Sequence, residues 1–379
     1  MDFNFSDIKY ITEVVHNNLL KRSQLKENDL LMTITGRIGT CAVANKECLP
    51  GNINQHIVRI RLKQGYNPYF VAAFLNSDMG LLLSNRGVTG TTRIALDYES
   101  IKKIPIPNIT DQSKQLYFIS KIDVALKKKN RKLVQADELL LNQSNILLKH
   151  LNLTIDNYTS SLCSAVVLRN LSLDKTFSAE YYHPERINAI NSMKDNSLFR
   201  SVKLNNVVDF CRNIVKSDKS TDCYLGLSGV ESQTGELTGI EEETSGQAFT
   251  YHTNDILYGR LRPYLNKVLF AEQGGICSTE FHVMRVKNTQ EILPEYLAEI
   301  MRSDLILCQT KHMMTGNTHP RISNDDVKNL YIPVPEISLQ EHIVNEIRSR
   351  RQEARKLKQE AEQEWQAAKK QFEKELLGE

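Results

Sequence analysis

Apolar side chains recur along this chain in two rhythms, and the pair of rhythms occurs twice. In the first, short β-branched runs at Gln55 to Leu62 and Phe281 to Val286 predict strands, and each is followed by a helical pattern, Pro68 to Asn76 and Pro294 to Arg302. In the second, a mostly apolar stripe returns at intervals of three and four: Ile119, Ile122, Leu126, Lys129, Leu133, Ala136, Leu140, Gln143 and Leu147. Ile343, Ile347, Ala354, Leu357, Ala361, Trp365, Ala368, Phe372 and Leu376 repeat that period between faces crowded with Glu, Lys and Arg. This is the spacing of a coiled-coil seam, so each long helix wants a partner. Ile104-Pro105-Ile106-Pro107 and Ile332-Pro333-Val334-Pro335 stand between the two rhythms. Their prolines forbid helix and remove backbone donors, which predicts extended chain leaving a domain.

The recurrence is an internal repeat. Asn28-Asp29-Leu30-Leu31 returns as Asn254-Asp255-Ile256-Leu257, His56 as His282 and Arg59 as Arg285, each displaced by 226 positions. Pro68, Ser77-Asp78 and Thr89-Gly90 return at the same displacement as Pro294, Ser303-Asp304 and Thr315-Gly316. The predicted class is α+β, two related mixed domains separated by a pair of long antiparallel coiled-coil helices. Residues 1–110 form the first domain, 111–152 the first spacer helix, 153–336 a linker and the second domain, and 337–379 the second spacer helix. A helix of about 35 residues at 1.5 Å per residue gives a spacer of roughly 50 Å. By the same offset Met1 corresponds to Leu227, whereas the second repeat begins near Phe177, so the first domain lacks about 50 residues at its front. Either the chain is a truncated form or another polypeptide completes that domain.

Composition changes the picture little. A formal charge of +3 over 379 residues is too mild to mark a nucleic-acid binder. Seven scattered cysteines fit neither a disulfide framework nor a zinc site, and Cys41 and Cys48 read as two buried thiols. Neither a leader pattern at Met1 to Phe5 nor a membrane-length apolar run is present, which predicts a cytoplasmic protein.

No catalytic constellation emerges. Asn67-Pro68-Tyr69-Phe70 resembles the Asn/Asp-Pro-Pro-aromatic tetrapeptide of adenine methyltransferases but lacks the second proline, and its repeat partner Leu293-Pro294-Glu295-Tyr296 keeps only the helix-starting proline. Gly226 to Gly239 lacks the Lys-Ser/Thr ending of a phosphate loop and reads as a loop or hairpin. His56 and His282 read as structural, and Asp29 and Asp255 as turn-making residues before apolar strands.

Polar loops, in contrast, recur at matching places. Arg86, Thr91, Thr92 and Arg93 lie in the loop Asn85 to Arg93, and Lys311, Asn317 and Arg321 in the loop Lys311 to Arg321. Arg37 lies in Thr35 to Thr40, answered by Arg260, Arg262, Tyr264 and Lys267. Arginine donates in pairs to guanine and lysine offers a point charge to phosphate, so these twelve residues are the candidate DNA contacts.

A polar-looped domain, an Ile-Pro-X-Pro exit with Gln115 or Gln340 just beyond it, and a long helix, all twice, resemble the specificity subunit of type I restriction-modification systems. Gly90-Thr91-Thr92 and Gly316-Asn317-Thr318 resemble the family's loop before the exit strand, and Ser178 to Pro184 the opening of many family repeats. The resemblance implies target-recognition domains that each read half of a split double-stranded DNA site. It implies helices that dock methyltransferase subunits, two of them, with nuclease or translocase subunits as further partners. It implies a non-catalytic chain that binds no cofactor or metal itself, S-adenosylmethionine belonging to the partners. A coiled-coil scaffold that binds only protein is the alternative.

Overall fold

A computed structural model describes residues 3, 8–89, 95–155, 178–216, 224–240, 242, 246–316 and 318–378. Thr91, Thr92, Arg93, Asn317 and Phe177 lie outside the described residues. Contacts divide the chain into two compact units, Met1–Gln135 with Lys356–Glu379, and Ala136–Arg355.

In the first unit, strands β1 (Leu30–Thr33), β2 (Cys41–Val43) and β3 (Ile57–Ile60) form an antiparallel sheet in the order β2-β1-β3. A small ribbon pairs β4 (Val88–Thr89) with β5 (Ala95–Leu96), and the helices are α1 (Pro68–Leu75), α2 (Asp78–Arg86), α3 (Tyr98–Lys102) and the long α4 (Gln112–Leu141), which continues into the second unit. α1 begins where the sequence predicts because Asn67 caps it, accepting from the Tyr69 N–H at 2.9 Å, and Pro68 fills the first turn where no donor is needed. The apolar face of α1, Phe70, Val71, Phe74 and Leu75, is buried against Leu30, Met32 and Cys41 of the sheet. Burial pushes the Cys41 thiol up to about 12; Cys48 is only half-buried, a correction to the expectation of two buried thiols, because it sits on an outer turn rather than on the sheet.

In the second unit α5 (Gln143–His150) and α6 (Pro184–Lys194) precede a larger set of strands. These are β6 (Arg200–Lys203), β7 (Val208–Cys211), β8 (Ile214–Lys216), β9 (Tyr224–Leu225), β10 (Gln247–Tyr251), β11 (Ile256–Gly259), β12 (Val268–Phe270), β13 (Gly275–Ser278), β14 (Phe281–Val286) and β15 (Tyr331–Val334). A turn of helix, α7 (Leu204–Val207), joins β6 to β7, and α8 (Pro294–Arg302), α9 (Asp304–Thr310), α10 (Asn324–Lys328) and α11 (Ile337–Leu377) follow. Two sheets form, in the orders β8-β10-β13-β9 and β12-β11-β14-β7, and β15 pairs with β6.

The repeat is physical as well as textual. Asp29 and Asp255, both buried, each accept from a backbone N–H three residues earlier at 2.8 Å, that of Lys26 and of His252. Each also holds an arginine: Arg61 Nε lies 2.8 Å from Asp29, and Arg285 Nε 2.7 Å from Asp255. Gln115 and Gln340 are fully buried staples just past the two exits. Gln115 Oε1 accepts from Asn67 N at 2.7 Å while its Nε2 donates to Gly65 and Ile109 carbonyls; Gln340 Oε1 accepts from Leu293 N at 2.8 Å while its Nε2 donates to Glu291 and Pro335 carbonyls.

Every residue of the two predicted stripes is buried or half-buried. In the first unit α4 runs antiparallel to the end of α11: Lys121 pairs with Glu375, Lys129 with Glu362 and Lys132 with Glu360, while Phe118 packs edge-on against Phe372. In the second unit Gln143 meets Arg351 and His150 meets Glu346, again antiparallel. The predicted single helix over 111–152 is interrupted at Asn142, whose side chain donates to the Glu138 carbonyl at 2.9 Å and so competes with the backbone ladder.

The second stripe skips from Ile347 to Ala354 because Arg351 occupies the seam. Its guanidinium reaches Gln143 Oε1 at 2.9 Å and Glu299 at 3.2 Å, and Glu299 in turn holds the buried Arg302 at 2.9 Å. Burial, and then the charge of Arg351, push the Arg302 guanidinium down to about 10. Such a layer is costly to desolvate and strongly destabilising to break on one side only.

Candidate nucleic-acid interface

In the second unit the candidate loop begins where β11 ends. Arg262 and Asn266 both adopt left-handed backbone, φ 50° and 51°, which folds the chain tightly back so that Gly259 N–H donates to the Lys267 carbonyl at 2.9 Å. Asn266 is buried and fixes the turn, its Nδ2 donating to Gln233 Oε1 at 2.9 Å and to the Arg302 carbonyl at 2.6 Å. The loop's position thus depends on the charged layer at the helix seam.

A second loop lies against the first. Arg262 N–H donates to the Pro320 carbonyl at 2.7 Å, Ile322 N–H to the Arg260 carbonyl at 3.1 Å, and Leu261 bridges to Arg321. Arg260, Arg262 and Arg321, distant in sequence, are therefore neighbours. Arg262, Tyr264 and Arg321 are exposed. Glu280 holds the Arg321 guanidinium at 2.8 Å. Arg260 is half-buried, and its Nη1 donates to the Thr279 carbonyl at 3.4 Å.

Two of the candidates are engaged inside the fold. Lys267 donates to the Leu227 carbonyl at 2.7 Å, and partial burial pushes its ammonium below the usual lysine range. Lys311 is ion-paired with Glu185, which also meets His312 at 3.0 Å. Sequence reasoning treated both as free because each loop is polar throughout, and nothing local reveals Leu227 or Glu185 as partners.

In the first unit Arg37 is exposed on the turn between β1 and β2, where Gly36 and Gly39 take φ of 69° and 85°. A Cβ on Gly39 would sit 2.9 Å from that of Ser84, so the turn packs on α2, whose last residue is the exposed Arg86. Leu96 N–H donates to the Ile34 carbonyl at 3.1 Å, the counterpart at 226 positions of the bond between Ile322 and Arg260. The frame is common to the two units, while Ile34 in one stands where the other has Arg260.

His282, within β14, is buried; burial first, and the Arg260 charge next, push its imidazole down to about 3. That makes it a structural, neutral ring, as the sequence predicts. His56 differs from that expectation: it precedes β3 rather than lying in it, is exposed, and bonds Thr35 Oγ1 at 2.8 Å. Among the described residues two groupings of potential metal ligands occur, His150 with His342 and Glu346, and His183 with Glu185 and His312, neither in the arginine loops. The rings of His183 and His312 stack at 3.7 Å, and Lys311 occupies Glu185, an arrangement poorly suited to a cation.

The chain thus carries duplicated α+β modules, each with arginine-bearing loops at strand ends and each followed by a long helix. The chain belongs to the family of the type I restriction modification DNA specificity domain, which matches residues 6–136 and 199–363, well over half of its length. The type I restriction enzyme EcoDI specificity subunit of Escherichia coli is 25% identical over 134 residues, 34% of this chain and 29% of that protein. The match therefore spans less than a third of that relative's length. Among solved structures, the type I restriction-modification system S subunit from M. genitalium is matched over 94% of this chain and 84% of its own, with 13% identity and a TM-score of 0.45. The HsdS subunit from Thermoanaerobacter tengcongensis is matched over 93% and 81%, with 13% identity and a TM-score of 0.37. No helix among the described residues is long and apolar enough to cross a membrane.

Proposed function

We propose that the chain is the non-catalytic, sequence-specific DNA-binding specificity subunit of a cytoplasmic type I restriction-modification complex. Each unit reads one half of a bipartite site in double-stranded DNA. The antiparallel helices set the spacing of the halves and dock methyltransferase subunits, two of them, with restriction nuclease or translocase subunits as further partners. S-adenosylmethionine belongs to the methyltransferase partners, and the domain limits of 1–110 and 153–336 apply to the two reading modules.

The observation that carries this reading is the mutual pinning of the loops at Arg260 to Lys267 and Lys311 to Arg321, which presents Arg262 and Arg321 outward from rigid strand ends. Fixed arginines beside an exposed Tyr264 suit base edges and phosphates better than they suit a protein groove. Arg37 and Arg86, with Thr91, Thr92 and Arg93 between the equivalent strands, are the corresponding readers of the first unit, and Asn317 joins those of the second.

The test is DNA affinity of the complex on its own methylation site. Losing one bidentate arginine contact costs about 1–3 kcal/mol, so Arg262→Ala is expected to weaken binding about tenfold or more and relax the base preference at one position. Arg260→Ala and Arg262→Ala that both leave affinity and methylation pattern unchanged would transfer the assignment to the alternative, a coiled-coil scaffold without DNA readout.

A further inference from the structure

The two units share a scaffold but differ at two strand edges. In the second unit β14 is covered on its outer side by β7, in the antiparallel register Val283↔Cys211 to Val286↔Val208. In the first unit β3, the counterpart of β14 at 226 positions, is the last strand of its sheet among the described residues. Likewise β15 pairs with β6, Ile332 opposite Val202 and Val334 opposite Arg200, whereas the counterpart run Ile104 to Pro107 belongs to no ladder among the described residues.

Burial follows the pairing at three counterpart positions: Val283, Ile332 and Val334 are buried where Ile57, Ile104 and Ile106 are half-buried, while Val58 is buried like Met284 and Ile60 half-buried like Val286. Open edges that carry apolar side chains and unpaired backbone groups are templates for another strand. One continuous stretch, Arg200–Cys211, covers both edges in the second unit.

We propose that the first unit is a docking site for a strand–turn–strand segment donated by another polypeptide, which adds to β3 and to Ile104–Pro107 as β7 and β6 add to β14 and β15. Main-chain bonds supply the affinity of such an addition, and side-chain alternation its specificity. The donor carries two short strands joined by one helical turn, the second alternating apolar and polar residues, with an acidic residue at the place of Asp209. That last feature follows from register: Asp209 faces Arg285, and Arg59 holds Arg285's place in the first unit. A second copy of this chain is not the donor, because its own Arg200–Cys211 is committed to β14 and β15.

The experiment is amide hydrogen exchange on the full chain with a synthetic peptide copying Leu198 to Arg212 as the donor probe. At a peptide concentration ten times its dissociation constant, exchange at Ile57 and Arg59, whose amides face the open edge, and at Ile104 and Ile106 is expected to slow about tenfold, with β14 unchanged. A peptide carrying D209P and C211P, the two positions whose N–H groups face β14 in the native ladder, is expected to leave those rates alone. The proposal is overturned by equal slowing with the proline peptide, or by no slowing at about millimolar peptide. It is also overturned when the bare chain already protects β3 as well as β14: a monomer so protected covers its own edge, and protection that rises with a dimer identifies a second copy. No DNA enters the measurement, so its failure and the failure of the DNA-reading proposal are separate results.

Discussion

Asp29 and Asp255 do the same work in the two units, each holding a backbone turn and an arginine beneath it. His56 and His282 hold equivalent places and do not: one is exposed, the other sealed inside a four-stranded sheet. The contrast teaches that a repeated side chain takes its role from what covers it. A turn partner lies three residues away and is copied with the repeat, whereas a covering strand comes from a separate part of the chain and is not copied in the first unit's described residues.

Four measurements break or sharpen that comparison. The largest effect is expected at the charged layer peculiar to the second unit. Glu299→Ala leaves Arg302 buried with its partner gone, a loss of about 3–5 kcal/mol. Exchange of the slowest amides of β11 and β14, read in denaturant, reports it; an unchanged rate would mean that the layer carries no stability.

The next is pH. Because the folded imidazole of His282 lies near 3, below its ordinary 6.5, its contribution is present above pH 6.5 and is lost as pH falls from there toward 3. His282→Gln removes that slope from the acid unfolding curve of the second unit, and His56→Gln, at the exposed position, is the control. Equal curves for both variants would erase the distinction between the two histidines.

A smaller and symmetric effect is expected at the staples. Gln115→Ala and Gln340→Ala each orphan a backbone N–H and two carbonyls, costing about 1–3 kcal/mol apiece in denaturant unfolding. A marked inequality would show that the first unit tolerates the loss because its exit segment is looser. The smallest effect belongs to Lys132→Ala at the helix seam, a thermal transition close to that of the parent chain, since its carboxylate partners reach solvent and screen the pair. A larger loss, measured by thermal unfolding, would make the seam's charges structural.

Much of the candidate interface was visible in the sequence only as composition. The loops at Arg260 and Arg321 stood out as polar and repeated, but their contact is made by backbone bonds between segments some sixty residues apart, for which the side chains carry no mark. Lys267 and Lys311 look identical to free contacts in sequence and are held by Leu227 and Glu185 in the fold. Where a lysine's head ends up depends on the nearest acceptor in space, which pattern alone does not supply.

What the sequence determined by itself was everything governed by short-range rules. Proline and asparagine start α1, the three-four spacing marks both seams, and the 226-position offset announces two copies of one frame. Local dihedral preference and periodic burial act within a few residues and are written there. The tertiary structure alone decided that Arg351 enters the seam, that Arg302 and Asn266 couple it to the loop at Arg260 to Lys267, and that β14 is covered where β3, among the described residues, ends its sheet. Those outcomes turn on desolvation and on partners brought from afar, and a residue's own neighbours in the chain say nothing of either.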